Sequence, residues 1–190
     1  MAYTSARART SRCYSLPLLA ALGYAYVLAG RVPEALLLLE QVQQTAPLPS
    51  PLSSLVLVWL GEIARHAGRL ESAHGLAEHA LKLAQERQER GNQAWALHLL
   101  GTLALRGDLS QAAQAHTYYE QARSLADELG MRPLQAHCHM GLGRLCVQLG
   151  QAEQARAALS TAIDLYHAMQ MTFWLPQTEA ALAQVQEPPP

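Results

Sequence analysis

The segment LAALGYAYVLAGR, residues 19–31, announces the architecture of this chain. It carries a Leu22-Gly23 pair, and a second glycine, Gly30, follows seven residues later. The arrangement returns three times, as LVWLGEIARHAGR from Leu57, LHLLGTLALRGD from Leu97 and HMGLGRLCVQLGQ from His139. The inner glycines Gly23, Gly61, Gly101 and Gly143 are separated by 38, 40 and 42 residues. The closing glycines are Gly30, Gly68, Gly107 and Gly150, with the third segment one residue shorter than the others.

An Ala-rich run follows each segment. Ala35, Leu39 and Val42 are spaced by four and three, as are Ala73, Ala77 and Ala80, then Ala115, Tyr119 and Ala122, then Ala155, Leu159 and Ala162. That spacing puts each trio on one stripe of a helix. A unit of about 40 residues made of helix, tight turn and helix is the signature of a stacked repeat, because one amphipathic hairpin cannot bury its apolar face alone. An inner glycine costs about 1 kcal/mol relative to alanine in a helix interior. Four recurrences in one register therefore imply a compensating close contact, expected here with the small alanines of the partner helix. The closing glycine allows a left-handed helix end.

Composition agrees. The chain has 190 residues, of which half are hydrophobic and 15% charged. Leu and Ala dominate, and isoleucine occurs only at Ile63 and Ile163. Strong helix formers with few β-branched residues predict an all-α protein. The formal net charge of -1 argues against a polyanion binder, since phosphate contacts need clustered Lys and Arg. No nucleic-acid partner is expected. The longest apolar run, Leu16 to Gly30, contains Pro17, Gly23, Tyr24 and Tyr26 and falls short of the ~18–20 residues that span a bilayer. No membrane partner is expected. Cys13, Cys138 and Cys146 form an odd, sparse set, unlike a secreted disulfide framework, which points to the cytoplasm. The acid-free start with Arg7, Arg9 and Arg12 reads as a flexible segment, 1–14, with an organelle leader as the other reading. Pro188, Pro189 and Pro190 end a flexible tail, 186–190.

Between these ends the periodicity predicts one repeat array over 15–185. Helices are expected at 15–29 and 33–44, 52–67 and 70–89, 92–105 and 109–129, 133–149 and 152–169, with a capping helix at 173–185. Ser15, Asn92 and Asp108 stand where N-caps belong, and Pro33 and Pro133 fall in first turns. Phe173, Trp174 and Leu175 would pack on Tyr166 and Met169 as part of the cap. The opening LPLLAALGYAYVL has almost no polar face. A helix apolar all round is usually buried, so that end is expected to be covered by the first residues, a second copy or an upstream domain.

Catalytic chemistry finds no foothold. With a single lysine, Lys82, the chain has no phosphate-binding loop. His74 and His79 do not have metalloprotease spacing. His139 and Cys146 could share a helix face, but a tetrahedral metal needs three or four ligands, and both are expected to fill the interior between helices. No catalytic residue, metal or cofactor is expected.

The Leu-Gly segments and Ala stripes resemble the tetratricopeptide repeat family, whose pattern runs Trp-x2-Leu-Gly-x2-Tyr, then Ala-x3-Phe, then Pro. The first unit matches it with Leu19, Leu22, Gly23, Tyr26, Ala35, Leu39 and Pro47. The other units place Ala64, Ala104 and Cys146 at the tyrosine position, and the period exceeds the usual ~34. In this long-period form, segments such as QARSLADELGMRPLQAHCHMGLGRLC, residues 121–146, and the tail LYHAMQMTFWLPQTEAALAQV, residues 165–185, resemble the C-terminal helical arrays of bacterial ATPase, cyclase or DNA-binding regulators. The resemblance implies a right-handed α-α superhelix of about four hairpins plus the capping helix. It also implies a noncatalytic scaffold or regulatory arm that binds a protein segment along its first helices.

Carried over by register, that groove contains Tyr24, Glu62, Arg65, His66, Trp95, His98, Arg106, His137, Met140 and Arg144, with Ala20, Val27, Leu28, Val58, Thr102 and Gln148 beside them. Trp95, Tyr24 and Met140 would supply apolar contact, and Arg65, Arg106 and Arg144 forked cations for carboxylates. The arginines would equally serve as ordinary helix-end residues, favourable to the dipole. The Lys and Asn clamp of chaperone-docking members is absent, so no chaperone tail is expected. The alternative function is a small-molecule-sensing array of a bacterial regulator. Self-association through the apolar N-terminal end is a further expectation.

Overall fold

A computed structural model describes residues 17–45, 54–106 and 109–186. Among these residues the chain forms nine α-helices and two short 3-10 turns, with no strand. The chain divides into two compact units, one ending at Asn92 and the other starting at Gln93.

The first unit holds α1 (17–28), α2 (Val32–Thr45), α3 (Ser54–His66) and α4 (Leu70–Glu86). α5 (Arg90–Leu105) starts at its end and continues into the second unit. There follow a 3-10 turn at Leu109–Gln111, α6 (Ala112–Glu128), α7 (Arg132–Gln148), α8 (Ala152–Ala168), a second 3-10 turn at Thr172–Trp174, and α9 (Leu175–Gln186). The helix expected from residue 109 thus begins with a 3-10 turn, where the third segment is short by one residue. The segments 1–14 and 187–190 and the Pro47–Pro51 stretch lie outside the described residues.

Backbone turns set the helix ends. Gly30, Gly68 and Gly150 adopt φ of +74°, +76° and +70°, a region costly to any residue with a β-carbon. The next amide reaches back across the turn, from Arg31 to the Tyr26 carbonyl at 2.8 Å and from Gln151 to the Cys146 carbonyl at 2.9 Å. This is the left-handed, Schellman-type closure that the spacing predicted. Gly107 is outside the described residues. Second helices close in the same way at Gly130, but also at Gln88 and Gln170, both at φ 57°. The following helices start without a side-chain cap at Arg69, Met131 and Gln151. Asn92, expected as a cap, is inside α5, which begins at Arg90. Its amide donates instead to Glu89 Oε2 at 3.0 Å, and the Ser54 hydroxyl bonds the same carboxylate. Ser15 and Asp108 lie outside the described residues, whereas Pro33 and Pro133 fall in first turns as expected.

All four Ala stripes are buried: Ala35, Leu39 and Val42; Ala73, Ala77 and Ala80; Ala115, Tyr119 and Ala122; Ala155, Leu159 and Ala162. Full burial of a Leu-sized side chain is worth about 1.5–3 kcal/mol, so these stripes and the first helices they meet supply most of the core.

The inner glycines correct one expectation. Gly23, Gly101 and Gly143 receive large side chains rather than alanines. A β-carbon on Gly23 would lie 2.7 Å from Ile63 Cδ1 of the next hairpin. One on Gly143 would lie 2.6 Å from Leu159 Cγ. Tyr119 is held between two glycines: β-carbons on Gly101 and Gly141 would meet its ring at 3.0 Å and 2.5 Å. The alanines sit beside these plugs, on the same buried stripes.

In the second unit α7 packs on α6, α8 and α9, so its interior includes Leu134, Ala136, Cys138, Leu142 and Leu145. Leu175 joins Tyr166, with Trp174 and Met169 packed against them, whereas Phe173 is exposed. The capping role expected of Trp174 and Leu175 therefore holds, without Phe173.

Candidate functional site

In the first unit, α1 and α3 bring Tyr24, Glu62, Arg65 and His66 together. Glu62 is buried and accepts from Arg65 Nε at 2.9 Å and Nη2 at 2.7 Å. His66 Nε2 lies 4.0 Å from the same carboxylate and 2.5 Å from Arg65 Nη2. Burial, reinforced by the Glu62 carboxylate, pushes the Tyr24 phenol up to about 12, with Arg65 opposing the shift. Arg65 is therefore committed to an internal ion pair. Removing it would leave a buried carboxylate without its partner, which costs far more than an exposed pair is worth. Ala20, Val27 and Val58, placed by register on the binding face, are in the core instead.

The second unit gathers a cluster of rings. α5 supplies Trp95 and His98, α7 supplies His137, and the 3-10 turn before α9 supplies Trp174. Trp95 stands 6.1 Å from His98 and 5.8 Å from His137, measured between ring centroids. His137 lies 5.9 Å from His98 and makes an edge-to-face contact with Trp174 at 4.7 Å. Such offset and edge-on pairs exceed simple area burial by about 0.5–1.5 kcal/mol. Trp95, His98 and Trp174 remain partly exposed, whereas His137 is buried.

Second helices reach the cluster from below. The Tyr119 ring lies 5.7 Å from His98, and its hydroxyl donates to Thr102 Oγ1 at 3.2 Å. The Tyr166 hydroxyl is 2.7 Å from His137 Nδ1 and 3.8 Å from Met140 Sδ. Thr178 Oγ1 is 3.4 Å from that sulfur and donates to the Trp174 carbonyl at 2.8 Å. Burial holds His137 down at about 4, so its imidazole is neutral near pH 7 and the phenol can donate to Nδ1. The same burial raises the Tyr166 phenol well above its usual range, against the pull of Arg144. The polar atoms that support the rings from the second helices and α9 are bonded within this group: Tyr119 to Thr102, Tyr166 to His137, and Thr178 to the Trp174 carbonyl.

Among the predicted residues the structure therefore joins Trp95, His98, His137 and Met140, and separately Tyr24, Glu62, Arg65 and His66. Arg106, just past the end of α5, and Arg144 on α7 are exposed. Register reasoning along first helices missed Tyr119, Tyr166, Trp174 and Thr178. Tyr119 was legible as the large member of an Ala stripe, and Tyr166 stands four residues beyond Ala162. Their length carries the hydroxyls through the hairpin to the first helices. His139 is half-buried and Cys146 buried. Among the described residues no group of three or more His, Cys, Asp or Glu side chains could hold a metal ion, and no helix is long and apolar enough to cross a membrane.

Repeated antiparallel helix pairs with left-handed closures, packed through glycine and alanine, define a helical-repeat protein. The tetratricopeptide repeat model matches residues 20–87 and 105–169, more than half of the chain, and the chain belongs to that family. Among solved structures it is similar to BtubC (BKLC) from P. vanneervenii, with 18% identity and a TM-score of 0.69, over 96% of this chain and 78% of that one. It is also similar to a putative kinesin light chain of Podosopora anserina with nearly identical TPR-like repeats, at 20% identity and a TM-score of 0.60, over 90% and 93% of the two chains. A singly substituted form of that protein matches equally. At such identities these likenesses establish the all-α, TPR-like solenoid fold. Repeats of this family generally mediate protein–protein interaction and are generally noncatalytic scaffolds.

Proposed function

We propose that this chain is a noncatalytic scaffold or regulatory arm whose second unit binds a segment of a partner protein over Trp95, His98 and Trp174, with the buried His137 holding these rings from within. The observation that carries this reading is the partly exposed ring cluster, supported from beneath by Tyr119 and Tyr166. Large, rigid aromatic surface held in place before binding loses little entropy on complex formation, and Trp and Tyr are favoured anchors of interface energy. The exposed Arg106 and Arg144 suit a segment with carboxylates next to its apolar anchor. In the first unit, the Tyr24, Glu62, Arg65 and His66 group would contribute shape more than charge, because Glu62 already neutralises Arg65.

A small-molecule-sensing array is the second reading. It is favoured by the ring-lined surroundings of the buried His137–Tyr166 hydrogen bond. The test is affinity capture with the full chain against a Trp95→Ala, His98→Ala variant, followed by titration of the captured protein using tryptophan fluorescence in a Trp59→Phe background. Loss of a hot-spot tryptophan should weaken binding by about 30-fold or more. Equal affinity in the two forms would refute the site. A metabolite that shifts Trp95 and Trp174 fluorescence in the absence of any protein partner would favour the second reading.

A further inference from the structure

Every exposed residue between positions 17 and 29 is apolar and lies on one stripe of α1 and its end: Leu18, Leu22, Ala25 and Ala29. Leu18 is 71% exposed and Leu22 43%. A solvated helix face would carry polar residues there. The internal repeat shows what this register normally meets. Leu18, Leu22 and Ala25 correspond to Val56, Leu60 and Ile63 in α3, to Ala96, Leu100 and Leu103 in α5, and to Cys138, Leu142 and Leu145 in α7, and all nine are buried. Within the first unit Ile63 packs onto Gly23 of the hairpin before it. Within the second, Leu145 clusters with Ala104 and Ala115 of the hairpin before it. This register is where one hairpin receives another, and among the described residues α1 alone presents it uncovered. Leu37 differs. It is also exposed, but its counterparts Gly75, Thr117 and Ala157 are exposed as well, so it belongs to the ordinary outer surface.

We propose that a second copy of this chain covers the stripe, with two α1 helices packed antiparallel about a two-fold axis. The stripe is self-complementary. Its first half is large (Leu18, Leu22) and its second half small (Ala25, Ala29), so antiparallel pairing sets Leu18 against the other copy's Ala29 and Leu22 against its Ala25. A two-fold contact pairs residue i of one copy with j of the other and j with i, so each Leu–Ala pair forms twice, and an uncharged stripe brings no like charges together. The first charged side chains beyond it, Arg31 and Glu34, pair with each other at 2.9 Å. None of these residues belongs to the ring cluster, so this inference stands or falls apart from the proposed function.

Sedimentation equilibrium of the full chain should show a reversible monomer–dimer equilibrium. Leu18→Glu with Leu22→Glu should give a monomer of unchanged helicity, and Leu37→Glu should leave the dimer intact. Chains carrying Leu22→Cys, mixed with chains carrying Ala25→Cys, should cross-link to each other more than to themselves with a short bismaleimide, a geometry readout that does not depend on the glutamate variants folding. A chain that stays monomeric across the micromolar range overturns the proposal, as does a dimer untouched by the stripe variants. Dimerisation that appears only after removal of residues 1–14 also overturns it, since the chain's own first residues would then be the cover.

Discussion

Gly143 has no room for a side chain, because a β-carbon would lie 2.6 Å from Leu159 Cγ and 3.3 Å from the Leu159 amide nitrogen. The nitrogen is backbone and cannot rotate away. Gly143→Ala should therefore destabilise the protein by about 1–3 kcal/mol, the usual penalty for overpacking. Gly75 is the contrast. It is interior to α4 and exposed, and its β-carbon position meets nothing within 4 Å. Gly75→Ala should stabilise by up to about 1 kcal/mol through helix propensity and loss of unfolded-state freedom. Urea denaturation of the two variants would check the pair, and a sign reversal at either position would refute the packing described for that glycine. The sequence singled out Gly143 by its register and left Gly75 outside the pattern. It did not show that the space over the inner glycines goes to Ile63, Tyr119 and Leu159, because the reach of a long side chain depends on where its own helix is anchored.

Among the helices, α7, α8 and the 3-10 turn before α9 meet at His137. Its imidazole bonds Tyr166 of α8 and abuts Trp174 of that turn. Burial lowers its pKa from 6.5 to about 4, so the unfolded chain takes up this proton more readily than the folded one. The corresponding stability is complete above pH 6.5 and is lost progressively as pH falls toward 4. In total it amounts to about 3 kcal/mol. Urea midpoints measured from pH 7 down to pH 4 should fall more steeply for the wild type than for His137→Phe. Parallel slopes would show that His137 is not buried neutral. The sequence placed His137 among the groove residues, whereas it is buried and bonded to Tyr166, 29 residues away, and only the folded hairpin fixes that contact. Helix ends show the same division. Glycine at positions 30, 68 and 150 announces a left-handed closure, whereas Gln88 and Gln170 adopt it with no glycine to mark the turn.

Across the molecule, the helices pack on neighbours one or two places along the chain within each unit, as α3 on α4 and α7 on α6, α8 and α9. Stability in such proteins is close to a sum over neighbouring contacts. Tyr119 is the central plug of the second unit, fully buried between Gly101 and Gly141. Tyr119→Ala should cost about 3–5 kcal/mol. Hydrogen exchange should then accelerate first in α6, α7 and the α5 residues from Gln93 onward, with α3 and α4 retaining their protection. Uniform acceleration across both units would refute this local accounting.

The helices, their pairing into hairpins and the membership of the buried stripes were all written in the order of residues. They follow from local spacing, glycine at turns, and the need of each amphipathic face for a neighbour. Three-dimensional packing was needed to settle which side chains fill the glycine notches, that Arg65 is neutralised by Glu62, and that Trp95, His98, His137 and Trp174 form one cluster. Each of those outcomes depends on distances between residues that belong to different helices or turns, and side-chain length and helix packing set them where periodicity does not.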